Sequence, residues 1–139
     1  ETGSNSLGLS FSYTKNIVQN FLESRTEEQL LCYSQFLQIW DAIFAIIYTL
    51  MYASWIVYLF NNKSWLALIP VLGMVSDWSE NYVELLMIKA YLNAAPISDE
   101  LVSIGSGINS FKWVLSSLTY LIMLFGIIIA IRNFFAKPR

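Results

Sequence analysis

The chain has 139 residues, of which 56% are hydrophobic and 13% are charged, and its formal net charge is -2. A soluble domain of this length cannot bury so much apolar surface, so the composition predicts a membrane protein, and the lack of a basic excess argues against a nucleic-acid partner. There is no histidine and one cysteine, Cys32, which excludes histidine-based catalytic triads and an internal disulfide.

The N-terminal segment, residues 1–38, is predicted to be extracytoplasmic. Residues 1–10 are small and polar, and we expect them to be extended or disordered. The pattern from Tyr13 to Leu22 is typical of an amphipathic helix that lies on the membrane surface. Thr26 followed three residues later by Gln29 matches a capping box, which predicts that a helix begins there.

Residues 39–139 are predicted to form an all-α transmembrane bundle. A span must cross roughly 30 Å of hydrocarbon, and three apolar stretches are long enough: about residues 39–60, 65–88 and 108–135. Residues 61–64 form a polar turn, and residues 89–107 form a loop that contains a short predicted helix from Asp99 to Ile104. Tryptophan and tyrosine residues near the span ends are typical of the aromatic belts of membrane proteins.

Basic residues determine the predicted orientation. Arg132, Lys137 and Arg139 belong to the C-terminal tail, and Lys63 belongs to the first turn. Three spans bring these four residues to the same side of the membrane. The positive-inside rule places that side in the cytoplasm and the N-terminus outside.

The second predicted span carries an unusual polar face. Four residues between Asp77 and Glu84 recur at i, i+3, i+4 and i+7, so they share one side of the helix. An ionised residue at mid-bilayer costs about 2.5–3.5 kcal/mol on insertion scales, so we expect this face to meet protein or water. Depth matching adds residues from the other two spans. The predicted polar cluster, in the outer half of the bundle, is Asp41, Tyr48, Asp77, Glu80, Asn81, Glu84 and Lys112.

The charges of the polar cluster do not balance, because four acids face one lysine. Either some carboxyl groups are protonated, or a cation lies among them, or water enters. A cage rich in oxygen and free of histidine suits a hard cation, and the sequence leaves the identity of any metal or cofactor open. A structural or assembly lock between helices is the other explanation of the same residues, and the one that we favour. Asp77 and Glu80 are the candidate pair for acid–base catalysis.

Three short motifs follow one another along residues 30–135. They are Asp-x-x-Phe-x-x-x-Tyr from Asp41, Asp-x-x-Glu-Asn from Asp77, and a lysine followed by an aromatic residue at Lys112. In these motifs the chain resembles a group of uncharacterised small bacterial polytopic membrane proteins. The resemblance implies one shared polar site, a location in the bacterial inner membrane, and a further hydrophobic segment upstream that was removed here; it implies no activity.

Three functions remain as predictions. The first is a non-enzymatic accessory, scaffold or assembly subunit in the lipid bilayer, whose polar cluster fixes the bundle and docks a protein partner or a second copy. The alternative is a protein that binds a cation, a proton or a small ligand, with transport or sensing by an oligomer. The second alternative is a lipid-active membrane enzyme that uses paired carboxylates. It requires a pocket that opens to the bilayer beside Asp77 and Glu80.

Overall fold

The described part of the chain is entirely helical. The structure is a computed structural model that describes residues 6–136. Four helices follow in chain order: α1 Lys15–Glu23, α2 Glu27–Leu59, α3 Leu68–Leu92 and α4 Asp99–Ala136. Short 3-10 segments occur at Leu7–Leu9 and Asn61–Ala67. Within residues 6–136 there is no strand, which confirms the predicted all-α class.

Helix α2 begins at the predicted capping box. Thr26 Oγ1 accepts a hydrogen bond from Gln29 N at 3.3 Å, and Gln29 Oε1 accepts one from Thr26 N at 3.0 Å. These two bonds satisfy backbone N–H groups that have no partner inside the helix. The helix widens into a π turn at Phe36–Asp41 and then continues as an α-helix to Leu59. Such turns are rare in proteins as a whole, but those that do occur are often found at functional sites.

The connection between α3 and α4 is shorter than predicted. Helix α3 continues to Leu92 and α4 begins at Asp99, so the loop covers residues 93–98 and the prediction of a loop over residues 89–107 was wrong. Ser98 Oγ accepts a hydrogen bond from Leu101 N at 3.1 Å, in the manner of a helix N-cap. This cap and the two acids of the first turn favour a helix that begins at Asp99. Tertiary packing stabilises the helical conformation at its glycines.

The start of the described chain belongs to the folded core. Leu7 is buried, and the Gly8 carbonyl accepts a hydrogen bond from Trp113 Nε1 of α4 at 3.2 Å. The expectation of an extended or disordered start was therefore wrong for residues 6–10. Residues 1–5, and Lys137 and Arg139 of the tail, lie outside the described residues.

Helix α1 buries its apolar face within the protein. Val18, Phe21 and Leu22 belong to the main core, together with Leu30 of α2 and Met87 of α3. The amphipathic pattern is present, but its apolar side is covered by protein instead of lying on a membrane surface. This core occupies the end of the bundle where the N-terminal segment meets the three longer helices.

Two helices, α2 and α4, are long and apolar enough to cross a membrane. Only 17% of the most apolar stretch of each helix is buried, whereas the core helix of a soluble protein would be mostly covered. Helix α3 contacts both of them, but it differs in composition because it carries three acidic residues and one lysine. Residues 6–136 thus contain two such helices, against three predicted spans.

Candidate functional site

The structure brings the seven residues of the predicted polar cluster into one region, where they form three separate groups. Helix α3 supplies four of them, α2 supplies Asp41 and Tyr48, and α4 supplies Lys112. Each of the seven has a hydrogen bond or an ion pair to another helix. The cluster therefore links the three longer helices to one another.

The first group is centred on Lys112. Its Nζ forms an ion pair with Glu80 Oε2 and another with Asp77 Oδ1, the latter at 3.2 Å. The Tyr48 hydroxyl donates to Asp77 Oδ2, also at 3.2 Å. All three charged side chains are largely buried. One lysine thus serves two carboxylates, so this group has more potential negative charge than positive charge.

The second group joins Asp41 to Asn81. The Asn81 side-chain amide donates to Asp41 Oδ2 at 2.7 Å, which ties the end of the π turn in α2 to the middle of α3. Within residues 6–136 no basic side chain forms an ion pair with Asp41. This carboxylate is therefore held by a neutral donor.

The third group contains Glu84, which is only 1% exposed and is therefore buried inside the bundle. The Tyr33 hydroxyl donates to Glu84 Oε2 at 2.7 Å and lies 2.5 Å from Ser6 Oγ. Sequence reasoning missed Tyr33. The signal was available, because Tyr33, Asp41 and Tyr48 lie two turns apart on one face of α2.

The N-terminal segment covers the buried ion pair. A Cβ atom at Gly8 would lie 3.2 Å from Glu80 Oε1 and 3.3 Å from Lys112 Nζ, so the backbone of residue 8 packs directly on this pair. Glu80 Oε1 is buried without a hydrogen-bond partner among the described residues. Tyr13 is buried nearby, and burial together with the charge of Glu80 raises the pKa of its phenol, which keeps it neutral.

A cavity of about 570 Å³ lies beside the polar cluster. Its polar wall includes Asp41, Asp77, Asn81, Glu84 and Lys112, whereas Glu80 does not reach it. Phe44 and Tyr120 border the cavity and are 61% and 52% exposed. The cavity is therefore not enclosed, and exposed rings of α2 and α4 lie at its edge.

Aromatic rings form the other wall of the cavity. Phe44 and Tyr48 are 5.7 Å apart between ring centroids, and Tyr52 continues the row along α2 at 5.9 Å. Tyr120 of α4 closes the row, 5.6 Å from Tyr52 and nearly perpendicular to it. The sequence predicted Tyr48 as part of the site but not Tyr52 or Tyr120. Tyr52 shares a face of α2 with Asp41 and Tyr48, and this spacing was the available signal for it.

The arrangement suits a small amphiphile better than a metal ion. Among residues 6–136 no three histidine, cysteine, aspartate or glutamate residues form a group that could hold a metal. The carboxylates are instead bound to Lys112, Asn81 and Tyr33. Asp77 and Glu80 share Lys112, and only Asp77 faces the cavity, so this pair is not presented jointly to a substrate. A polar wall opposite an aromatic wall can bind a molecule with one polar and one apolar end.

Comparison with known proteins gives no relative from which a function could be transferred. No protein-family model matches the chain, and neither a curated protein nor a solved structure matches it. The resemblance to small bacterial membrane proteins therefore stays a prediction. The interpretation of the site depends on its geometry.

Proposed function

We propose that the chain is a small integral membrane protein that binds an amphiphilic ligand in the cavity beside its polar cluster. The single observation that carries this proposal is the cavity itself. Its volume of about 570 Å³ lies within the usual range for small-molecule sites. The exposed rings of α2 and α4 at the edge of the cavity favour entry of a molecule dissolved in the bilayer.

The proposal includes α3 as a third span between α2 and α4. Its polar residues Asp77, Glu80 and Glu84 are buried inside the bundle. Its opposite face is apolar or aromatic and exposed, at Leu72, Val75, Trp78, Tyr82 and Leu86. A water-exposed helix shows the reverse distribution, so this pattern supports a lipid environment on the outside.

We place the N-terminus outside the cytoplasm and the C-terminus inside, in a bacterial inner membrane. Three spans put Lys63 and Arg132 on one side, and the positive-inside rule makes that side cytoplasmic. Cys32 and the 93–98 loop then lie on the other side. Three other roles stay predictions: a scaffold subunit, an oligomeric transporter and a lipid enzyme. The described side chains of the polar cluster form hydrogen bonds and ion pairs with one another and with Tyr33, and they do not present paired carboxylates to a substrate.

Filling the cavity tests the proposal. Ser116 lines the cavity, whereas its neighbour Ser117 is exposed on the outside of α4. We expect Ser116→Phe to abolish saturable one-to-one binding of monododecanoylglycerol, and Ser117→Phe to retain it, because only the first ring occupies the site. Native mass spectrometry of the detergent-solubilised protein counts the bound molecules. If both variants bind the ligand as well as the wild type does, the cavity is not the ligand site.

A further inference from the structure

The charges around the cavity are unequal. Three carboxylates line it, at Asp41, Asp77 and Glu84, against one basic residue, Lys112. Lys112 is already shared between Asp77 and Glu80 by ion pairs. Among the residues that the structure describes, no other lysine or arginine lines the cavity. The wall therefore holds more acidic groups than its own lysine can neutralise.

Asp41 is the carboxylate best placed to meet a ligand. Its Oδ2 is occupied by the Asn81 amide, but it has no ion pair to any described basic residue. It is only partly buried, and it faces the cavity from the end of the π turn. Glu84 is different, because it is almost fully buried and is held by Tyr33. A positive group in the cavity would thus complement Asp41 first.

The aromatic wall points to an organic cation instead of a metal ion. Seven of the twenty lining residues are aromatic, and Phe44 lies one helical turn from Asp41. The faces of aromatic rings attract quaternary and alkylated ammonium groups. A metal ion that binds oxygen ligands does not require aromatic rings around it. Within residues 6–136 the acids also do not converge as a metal-binding group. An anionic head group would meet uncompensated carboxylates beside a lysine that is already paired.

The cavity is larger than an ammonium group alone. At about 570 Å³ it accommodates a head group with part of an acyl or alkyl chain. The chain can leave past the exposed rings at the edge of the cavity, since Phe44 and Tyr120 are both more than half exposed. The polar end then lies against Asp41 and the apolar end lies toward the bilayer.

We infer that the cavity selects amphiphiles with a cationic ammonium head group, held between the Asp41 carboxylate and the aromatic rings of α2 and α4. This inference rests on the proposed function, since it specifies the chemistry of the ligand that the cavity takes.

Two ligands of the same shape test the inference. Octanoylcholine carries a trimethylammonium group, and 3,3-dimethylbutyl octanoate replaces that nitrogen by carbon and is neutral. Their binding to purified wild-type protein, Asp41→Asn and Glu100→Gln is titrated by native mass spectrometry. Glu100 is an exposed acid at the start of α4 outside the cavity, so it controls for the loss of one charge. Comparing variants cancels the unequal partitioning of the two ligands into micelles.

We expect Asp41→Asn to weaken octanoylcholine binding about tenfold and to leave the neutral ligand unchanged. The new amide oxygen can still accept from Asn81, so the bundle is retained, and unchanged neutral binding reports an intact cavity. Glu100→Gln is expected to match the wild type for both ligands. If Asp41→Asn affects the two ligands equally, the cation inference is wrong while binding in the cavity stands. If the wild type binds neither ligand saturably, both proposals fall.

Discussion

Lys112 determines how much of the polar cluster can remain charged inside the bundle. It is largely buried and pairs with both Asp77 and Glu80, the second of which is 1% exposed. A buried ion pair contributes little net stability compared with an apolar pair, but the loss of one partner leaves an uncompensated buried charge. The main effect of Lys112 is therefore to compensate the buried charge of Glu80, and the ion pair itself adds little net stability.

Lys112→Met is expected to lower the free energy of unfolding by about 3–5 kcal/mol, because the buried carboxyl groups of Glu80 and Asp77 lose the cation that they share. Lys89→Met is the matched control, since Lys89 is an exposed residue of α3. Adding Glu80→Gln to Lys112→Met is expected to recover a large part of the loss. Unfolding of the purified protein in mixed micelles measures all three variants. A double variant that is less stable than Lys112→Met alone would contradict this account of the pair.

The sequence could predict the cluster partners because helical spacing fixes which residues share a face. Depth matching placed Lys112 level with Glu80 and Glu84. The structure pairs Lys112 with Glu80 and with Asp77, whereas Glu84 is held by Tyr33. It could not predict Gly8 or Ser6, because the N-terminal segment has no periodic pattern and is held by tertiary contacts to α4 and α2. Tyr33 was missed for a different reason. The predicted span began after it, although α2 already begins at Glu27.

Helix α4 approaches the rest of the protein closely at one of its two neighbouring glycines. A Cβ at Gly105 would collide with the Tyr13 hydroxyl and lie 2.9 Å from Val83 Cγ1. At Gly107 a Cβ would have no neighbour within 4 Å. Both glycines fell within the predicted loop over residues 89–107, and glycine weakens an isolated helix. The contacts of Gly105 with Tyr13 and Val83 explain why a glycine is present inside this helix.

Gly105→Ala and Gly107→Ala are expected to shift stability in opposite directions. The first adds a methyl group where α4 meets Tyr13 and Val83, and overpacking of this kind costs about 1–3 kcal/mol. The second adds a methyl group to an exposed position and gains up to about 1 kcal/mol of helix propensity. Thermal unfolding in one detergent should give a lower midpoint for Gly105→Ala and an equal or higher one for Gly107→Ala. Equal shifts would mean that the close approach does not limit packing.

The molecule as a whole distributes polarity in the opposite sense to a soluble bundle. The three acids of α3 lie between helices, while large apolar side chains of α2, α3 and α4 face outward. Composition could predict a membrane environment because it depends on the number of apolar residues and not on where they lie. Composition does not distinguish α3 as membrane-spanning, since its three acids lower its apolar content, and the structure shows that those acids face inward. Membrane topology is therefore the property of the whole chain that most needs a direct test.

The single cysteine provides that test. Cys32 is exposed near the start of α2, and Ser64 and Ala95 are exposed in the two connections that follow. A membrane-impermeant maleimide applied to intact spheroplasts is expected to label native Cys32. In a Cys32→Ser background it should label Ala95→Cys, whereas Ser64→Cys should react only after lysis. This pattern requires α2 and α3 each to cross the bilayer once, with Cys32 outside. Labelling of Ser64→Cys alone would reverse the orientation, and equal labelling of Ser64→Cys and Ala95→Cys in spheroplasts would show that α3 does not cross.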